Sequence, residues 1–327
     1  MTQLSQKQID AFTAHFPSAR LNEPMSKHTT FRLGGPARVY VVANSSDLLV
    51  QAVEAAIELN IPWAVIGGGT NLLVSDEGFE GVVIQAANQG LSIEGEVVRV
   101  ESGLVSALVA RKTVEAGLTG FEWAVGLPGT IGGAVYGDAG CYGAEMRDSI
   151  VSVDAYHVAS KTRKTLTNHE CRFGYRDSLF KQEKHLILGC ELALKKASDP
   201  AASRALMDKI LSERKDKQPL GESSAGCVFK NFEYQNETAL DILRRDVDIP
   251  ELMLASKRIP AGWLIDQANL KGTSIGDFRV SEKHGNFLIN KGKGSASEVL
   301  ALISLVKMKV RDTFGIELQE EVQLLGF

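Results

Sequence analysis

Seven glycines fall within eighteen residues in GLPGTIGGAVYGDAGCYG, Gly126 to Gly143. A glycine inside a regular element costs about 0.5–1 kcal/mol relative to alanine. So dense a run must serve something other than a packed core. A shorter cluster, GGGTN at 67–71, follows the apolar run WAVI. Runs of exposed N–H groups bind phosphate oxygens, and missing side chains let a flat ligand approach. Tight turns and close helix–sheet packing are the alternative. Two such loops in one chain favour a dinucleotide-like ligand.

A Rossmann site is not the form this takes. That motif needs a helix directly after its glycines. Here LLVSDEGFEGVVIQ follows, which reads as two short strands around an Asp-Glu-Gly turn. There is no GK[ST], so no Walker loop. Bulk properties narrow the class further. A net charge of -4 over 327 residues argues against a nucleic-acid or anionic-membrane protein. The four cysteines, Cys141, Cys171, Cys190 and Cys227, form no CxxC pair, so no zinc ribbon is expected. MTQLSQKQIDAFTAH lacks the apolar core of a signal peptide, and no run approaches the ~18 apolar residues of a membrane span. A cytoplasmic enzyme or binding protein with reduced thiols is expected.

Along the chain, a short polar helix and a connector occupy 1–30. ARVYVVA (37–43) reads as a strand, SSDLLVQAVEAAIELN as a helix behind a Ser/Asp start, and WAVI as a second strand. VVRVESG is a strand, and SALVARKTVEAG a helix closed by Gly117. Strands follow at 150–158 and 185–194, then a helix at 205–215 running towards Pro219. Beyond it lie GCVFKNF, a short helix in TALDILRR, PAGWLIDQANLKG and SEKHGNFLIN. Ser295 and Glu298 form a capping-box pattern before a last helix. LQEEVQLLGF reads as a strand with Leu318, Glu320, Val322 and Leu324 on one face and Gln319, Glu321 and Gln323 on the other.

The motifs HTTFRLGGPA, VIGGGTNLLVSDEGFEGVVI, GLPGTIGGAVYGDAGCYGAE, CRFGYRDSLFK, SAGCVFKN, AGWLIDQANLKG, VSEKHGNFLIN and LQEEV occur in this order. Together they resemble the UDP-N-acetylenolpyruvoylglucosamine reductase family over nearly the whole chain. The resemblance implies an α+β protein: a vanillyl-alcohol-oxidase-type FAD-binding fold of two α/β subdomains plus a C-terminal α/β substrate-binding domain. The implied spans are 1–87 and 88–209 for the two FAD-binding subdomains and 210–317 for the substrate domain, with the strand 318–327 returning to the second subdomain. It also implies non-covalent FAD as cofactor and NADPH as hydride donor. The implied reaction reduces the enolpyruvyl group of UDP-N-acetylglucosamine enolpyruvate to UDP-N-acetylmuramate, a peptidoglycan precursor, in a cytoplasmic monomer without nucleic-acid partners. FAD would lie over the backbone of Gly67, Gly68, Gly69, Thr70 and Asn71, and of Pro128, Gly129, Thr130, Gly132, Gly133, Ala139 and Gly140.

Hydride addition to an enolpyruvyl carboxylate builds negative charge on that carboxylate, and a positioned acid must protonate the adjacent carbon. By resemblance, Arg176 in GYRDS stabilises this charge; pairing with Asp177 on a turn is the alternative. Glu321 in LQEEV matches the family glutamate. Glu320 stands where the family has proline, and rivals it. Cys227 stands where the family has a serine proton donor. An unperturbed thiol, with pKa near 8.5, is protonated at neutral pH and more acidic than a hydroxyl; a small buried filler is the alternative. Tyr142, Lys217, Asn231 and Gln267 match substrate-contacting positions. Asp138 replaces a family asparagine, which places negative charge near a pyrophosphate unless the carboxylate is held elsewhere. No inserted loop with a substrate-capping tyrosine lies between Cys190 and Lys217. No metal site is expected, and none of the six histidines is assigned a role. Another FAD-dependent oxidase of the same fold, or a non-catalytic nucleotide-binding protein, are the rival readings.

Overall fold

The computed structural model describes residues 3–234, 240, 243, 247–255 and 257–327. Apart from buried Leu240 and Leu243, the helix expected from TALDILRR lies outside the described residues. The first elements are helix α1 (Gln6–His15), strands β1 (Arg20–Pro24) and β2 (Pro36–Ala43), helix α2 (Ser46–Glu58), and strands β3 (Trp63–Ile66), β4 (Leu72–Val74) and β5 (Phe79–Ala86). Next come β6 (Leu91–Glu94), β7 (Val97–Glu101), α3 (Ser106–Glu115), α4 (Ile131–Tyr136), β8 (Ile150–His157), β9 (Thr162–Thr167), β10 (His185–Ala193) and α5 (Pro200–Lys217). The remainder holds α6 (Ala261–Gln267), β11 (Ser274–Ile275), β12 (Phe278–Val280), β13 (Leu288–Asn290), α7 (Ala296–Phe314) and β14 (Gln323–Leu325).

Where the sequence spans distinguish three domains, the contacts group the chain into two compact units. The first comprises Met1–Glu23, Ala37–Gly68 and Phe79–Asp216. It holds a four-stranded sheet in the order β1-β2-β5-β3 and a five-stranded sheet in the order β9-β8-β10-β7-β6. The βαβ unit β2-α2-β3 is real, but β5 pairs in parallel between its two strands. Helix α2 forms because Ser45 caps it, its Oγ accepting from Leu48 N–H at 3.1 Å, and because Leu49, Val53 and Ala56 recur on one buried face. Such a cap contributes about 1 kcal/mol. Two cores result. One lies around Phe12, Val39, Leu49, Val53 and Ile84; the other lies around Val98, Phe121, Ile131, Val135, Val153 and Leu192. Buried Asn88 ties the sheets: its Oδ1 accepts from Ser102 Oγ and Gly103 N–H, both at 3.0 Å, and its amide donates to Leu188 O at 2.9 Å. The glycine-rich stretch contributes to a core after all. It contains α4, whose Ile131, Ala134 and Val135 are buried.

The second unit comprises Pro24–Pro36, Gly69–Gly78 and Lys217–Phe327. Its core gathers Phe31, Leu73, Phe229, Leu264, Phe278, Val299 and Phe314. Helix α7 begins with the expected capping box, and Asp76 adds a second cap from afar, accepting from Ala296 N–H at 2.8 Å and Ser297 N–H at 3.2 Å. The C-terminal strand is shorter than its alternation suggested. Gln323–Leu325 pair in parallel with β4, Glu320 makes a single antiparallel bridge to Phe229, and Leu324 is exposed. Strands β4 and β5, adjacent in sequence, thus enter different sheets.

Candidate active site

The two glycine loops meet inside the first unit. A Cβ on Gly67 would stand 2.3 Å from Thr130 Oγ1. A Cβ on Gly132 would stand 2.8 Å from Ser102 Cβ, and the N–H groups of Ile131 and Gly132 are taken by Leu104 O and Ser102 O. In the second unit Gly69, at φ +61, brings its α-carbon against the His28 carbonyl, 1.9 Å from a notional Cβ. These glycines serve close backbone packing. Gly133 differs. It is exposed, and nothing approaches its notional Cβ closer than Thr130 Oγ1 at 3.8 Å. Among the described residues of the first unit, the N–H of Gly68 has no backbone acceptor and the buried Trp123 Nε1 has no hydrogen-bond partner; in the second unit the same holds for the N–H of Gly69 and for buried Asn71 Oδ1. Buried polar atoms are rarely left orphaned. Within the first unit, unclaimed donors and a glycine with room above it fit a flat cofactor bearing a diphosphate.

Arg176 is fastened to the glycine-rich loop. Its guanidinium donates to Asp138 O at 3.1 Å and Gly140 O at 2.7 Å, and stands 3.8 Å from Glu145 Oε1 and 5.0 Å from the Tyr175 ring centre. Asp177 accepts from Gln182 instead. Lys181 donates to Arg176 O at 2.6 Å, fixing the turn. Asp138 resolves the concern raised by its charge. Its carboxylate is fully buried, accepts Arg147 N–H at 3.0 Å and lies 3.5 Å from Arg147 Nε. Burial, assisted by Glu145 and opposed by Arg147, pushes its pKa up to about 6. Asp138, Tyr142 and Arg176 all have left-handed φ, at +42, +55 and +53. Non-glycine residues in that region carry strain and gather at functional sites.

Tyr142 is 44% exposed and donates to Ile210 O at 3.4 Å. Neighbouring Cys141 is held by Trp123 O at 3.4 Å. Burial raises both their pKa values, against the charge of Arg214. Arg214, on α5, also packs onto Gly126, its Cδ 2.2 Å from a notional Cβ there. The loop is thus attended by three guanidinium groups. Arg147 and Arg214 were not found in the sequence, because neither sits in a motif; only the folded chain brings them there.

In the second unit, three separate segments converge on Cys227. The half-buried thiol lies in a segment that bridges Phe287 antiparallel and continues through Val228 and Phe229. Buried Asn286 clamps that segment: its Oδ1 accepts Phe229 N–H at 2.9 Å and its amide donates to Phe229 O at 2.8 Å. On the other side Glu321 N–H donates to Val228 O at 2.8 Å, while Asn71 donates to Glu321 O at 3.1 Å. The Asn71 side-chain amide and the backbones of Glu321 and of the Cys227 segment are thereby linked. The Glu320 carboxylate pairs with Lys307 Nζ at 2.7 Å on the surface. Asn231 accepts Ala261 N–H at 3.2 Å, at the start of α6, and exposed Gln267 ends that helix. Lys217 is the exposed last residue of α5. Asn286 carries no sequence signal beyond its place in HGNFLIN. A groove of about 590 Å³ on the five-stranded sheet, lined by Arg99, Glu101, Asp154 and Arg163, includes none of these residues.

Residues 37–165 match a family model described as an FAD binding domain, and residues 218–325 match one described as UDP-N-acetylenolpyruvoylglucosamine reductase, C-terminal domain. The chain is 39% identical to the UDP-N-acetylenolpyruvoylglucosamine reductase of Chloroflexus aurantiacus, covering 93% of this chain and 96% of that one. It is 36% identical to that of Caldanaerobacter subterraneus, covering 94% and 93%. The crystal structure of the Thermus caldophilus reductase superposes with a TM-score of 0.73 at 30% identity, covering 94% of this chain and 98% of that one. The chain belongs to the UDP-N-acetylenolpyruvoylglucosamine reductase family.

Proposed function

We propose that this FAD-dependent reductase works through Arg176, Cys227 and Glu321 on the enolpyruvyl group of UDP-N-acetylglucosamine enolpyruvate. The observation that carries the reading is Arg176, a cation pinned by two hydrogen bonds to carbonyls of the glycine-rich loop. When bound, FAD would supply the hydride-transfer chemistry that links NADPH to the terminal carbon of the enolpyruvyl group. Arg176 stabilises the charge that grows on the substrate carboxylate, an effect worth several kcal/mol when the donor is fixed beforehand. Cys227 Sγ–H gives its proton to the adjacent carbon. The clamp by Asn286 sets the thiol's backbone, so little reorganisation is left for the reaction.

Glu321 is preferred over Glu320 because Lys307 engages Glu320 at the surface, whereas the Glu321 backbone is held between Val228 and Asn71. The backbone of Gly67, Gly68, Gly69, Thr70 and Asn71, and of Pro128, Gly129, Thr130, Gly132, Gly133, Ala139 and Gly140, would hold FAD. Tyr142, Lys217, Asn231 and Gln267 would contact the nucleotide sugar. No described helix is long and apolar enough to cross a membrane, in keeping with a cytoplasmic enzyme, and we infer a monomer. Incubation of the FAD-loaded protein with NADPH and the enolpyruvyl nucleotide should consume the two in equal amounts. Mass spectrometry should show a product heavier by two hydrogens. NADPH consumption without that product would leave an oxidase-type flavoenzyme and remove this reading.

A further inference from the structure

Outside the glycine loops and their partners, one cluster of ligand-type side chains stands among the described residues of the first unit. His157 on β8 lies directly opposite His185 on β10 in the antiparallel register. Their ring centres are 4.6 Å apart at 39°. The chain turns tightly before β10, with His185 N–H donating to Glu183 O at 2.9 Å, which returns the Glu183 carboxylate to the same end of the strand pair. One donor atom from each of the three residues lies within 4.8 Å of the others.

We propose that His157, His185 and Glu183 bind one divalent transition-metal ion, of the borderline class that takes imidazole nitrogen and carboxylate oxygen, with Zn²⁺ the foremost candidate. Two of the three ligands, His157 and Glu183, are oriented by neighbours. His157 Nδ1 is 2.6 Å from Ser160 Oγ, which itself lies 2.6 Å from Thr162 Oγ1, so the ring is fixed and Nε2 is the ligand. Arg172 holds Glu183 Oε1, leaving Oε2 to the metal. His185 Nδ1 is shut off from solvent and has no hydrogen-bond partner among the described residues, a costly state that a cation drawn between the side chains relieves. The Phe180 ring stands edge-on to His185 at 5.9 Å and walls one side. Ligand atoms on tetrahedral Zn²⁺ are about 3.3 Å apart, so small side-chain rotations of partly open residues close the site. Water completes the shell. Arg172 and Lys164 add positive charge nearby, so the site binds less tightly than a buried structural zinc.

The test uses the FAD-loaded protein and Zn²⁺ alone, competed from a chromophoric chelator. The wild type should bind one equivalent. H157A and H185A should each lose roughly tenfold or more in affinity, and E183Q should lose less. Because none of the three belongs to the catalytic machinery, flavin reduction by NADPH should be unchanged in each variant. Co²⁺ should give a spectrum without a thiolate charge-transfer band. Zn²⁺ binding unchanged in both histidine variants, no binding by the wild type, or a thiolate band would overturn the assignment. If H185A does not fold, H157Q at the more open ring decides the matter by the same readouts.

Discussion

The loop at Gly126–Gly143 and the segment around Cys227 are built on opposite plans. In the loop, atoms are missing or unclaimed. Gly133 is exposed with nothing nearer its notional Cβ than 3.8 Å, and just before the loop Trp123 Nε1 has no partner among the described residues. Around Cys227 the backbone is claimed on both sides, by Asn286 and Phe287 on one and by Glu321 on the other. A surface that receives a cofactor can be made by subtraction, since the ligand completes its contacts. A residue that must move a proton at one atom needs its backbone fixed in advance. Changes in the loop should therefore alter FAD occupancy, and changes around Cys227 should alter chemistry or stability with FAD still bound.

The largest effect should come from C227A. NADPH should still reduce the bound flavin at the wild-type rate, while reoxidation by substrate slows by about 10²–10⁴-fold, the usual contribution of a positioned acid. C227S should restore part of it. R176A should lower the same half-reaction by about 10²–10³-fold. It breaks the contrast in an informative way, because Arg176 is anchored to the loop, so weaker FAD binding is expected as well. Wild-type reoxidation in R176A would mean that its two carbonyl bonds serve the loop alone.

G132A and G133A set neighbours against each other. In G132A the new methyl meets Ser102 at 2.8 Å, so the thermal midpoint of the FAD-free protein should fall. G133A has room and replaces a helical glycine, so the FAD-free protein should hold or gain about 0.5–1 kcal/mol while FAD affinity drops. Equal FAD affinity in G133A and the wild type would show that the open space is not where the cofactor lies. N286A leaves two backbone groups of Phe229 unpaired, at about 1–3 kcal/mol each. Its unfolding midpoint should fall while FAD stays bound.

The effect confined to a pH window is at Asp138. Burial raises its folded pKa from 3.8 to about 6, so folding takes up a proton between those values. That contribution to stability is fully present below about pH 4 and is lost as pH rises through about 6. D138N keeps the acceptor for Arg147 N–H without the charge. It should melt slightly higher than wild type at pH 7, and the difference should vanish as pH falls towards 4. An unchanged gap across that range would assign the effect to packing.

Much of this was legible in the sequence where the signals are local. Helices α2 and α7 announced themselves through caps and apolar spacing, and Gly117 closes α3 at φ +78 as expected. Signals failed where distant backbone decides. The alternation over 318–327 held for Leu318 and Val322. It broke where Glu321 bonds to Val228 and Asn71, leaving Leu324 exposed. Glycine density suggested a ligand surface throughout, yet Gly67, Gly69 and Gly132 are required by Thr130, His28 and Ser102. Arg147 and Arg214 reach their places only through the fold, so no local pattern marks them; Asn286 lies inside VSEKHGNFLIN, but its clamp on Phe229 shows only in the folded chain.

The most direct measurement follows the visible flavin band of the FAD-loaded wild type anaerobically, first with NADPH and then with the enolpyruvyl nucleotide. The band should bleach with NADPH and return with the nucleotide, and both half-reactions are then established in one cuvette. A band that NADPH leaves untouched, or that the nucleotide does not restore, would contradict the assignment of this chain as the reductase. Absence of any band after incubation with FAD would mean that the open surface at Gly133 receives no flavin.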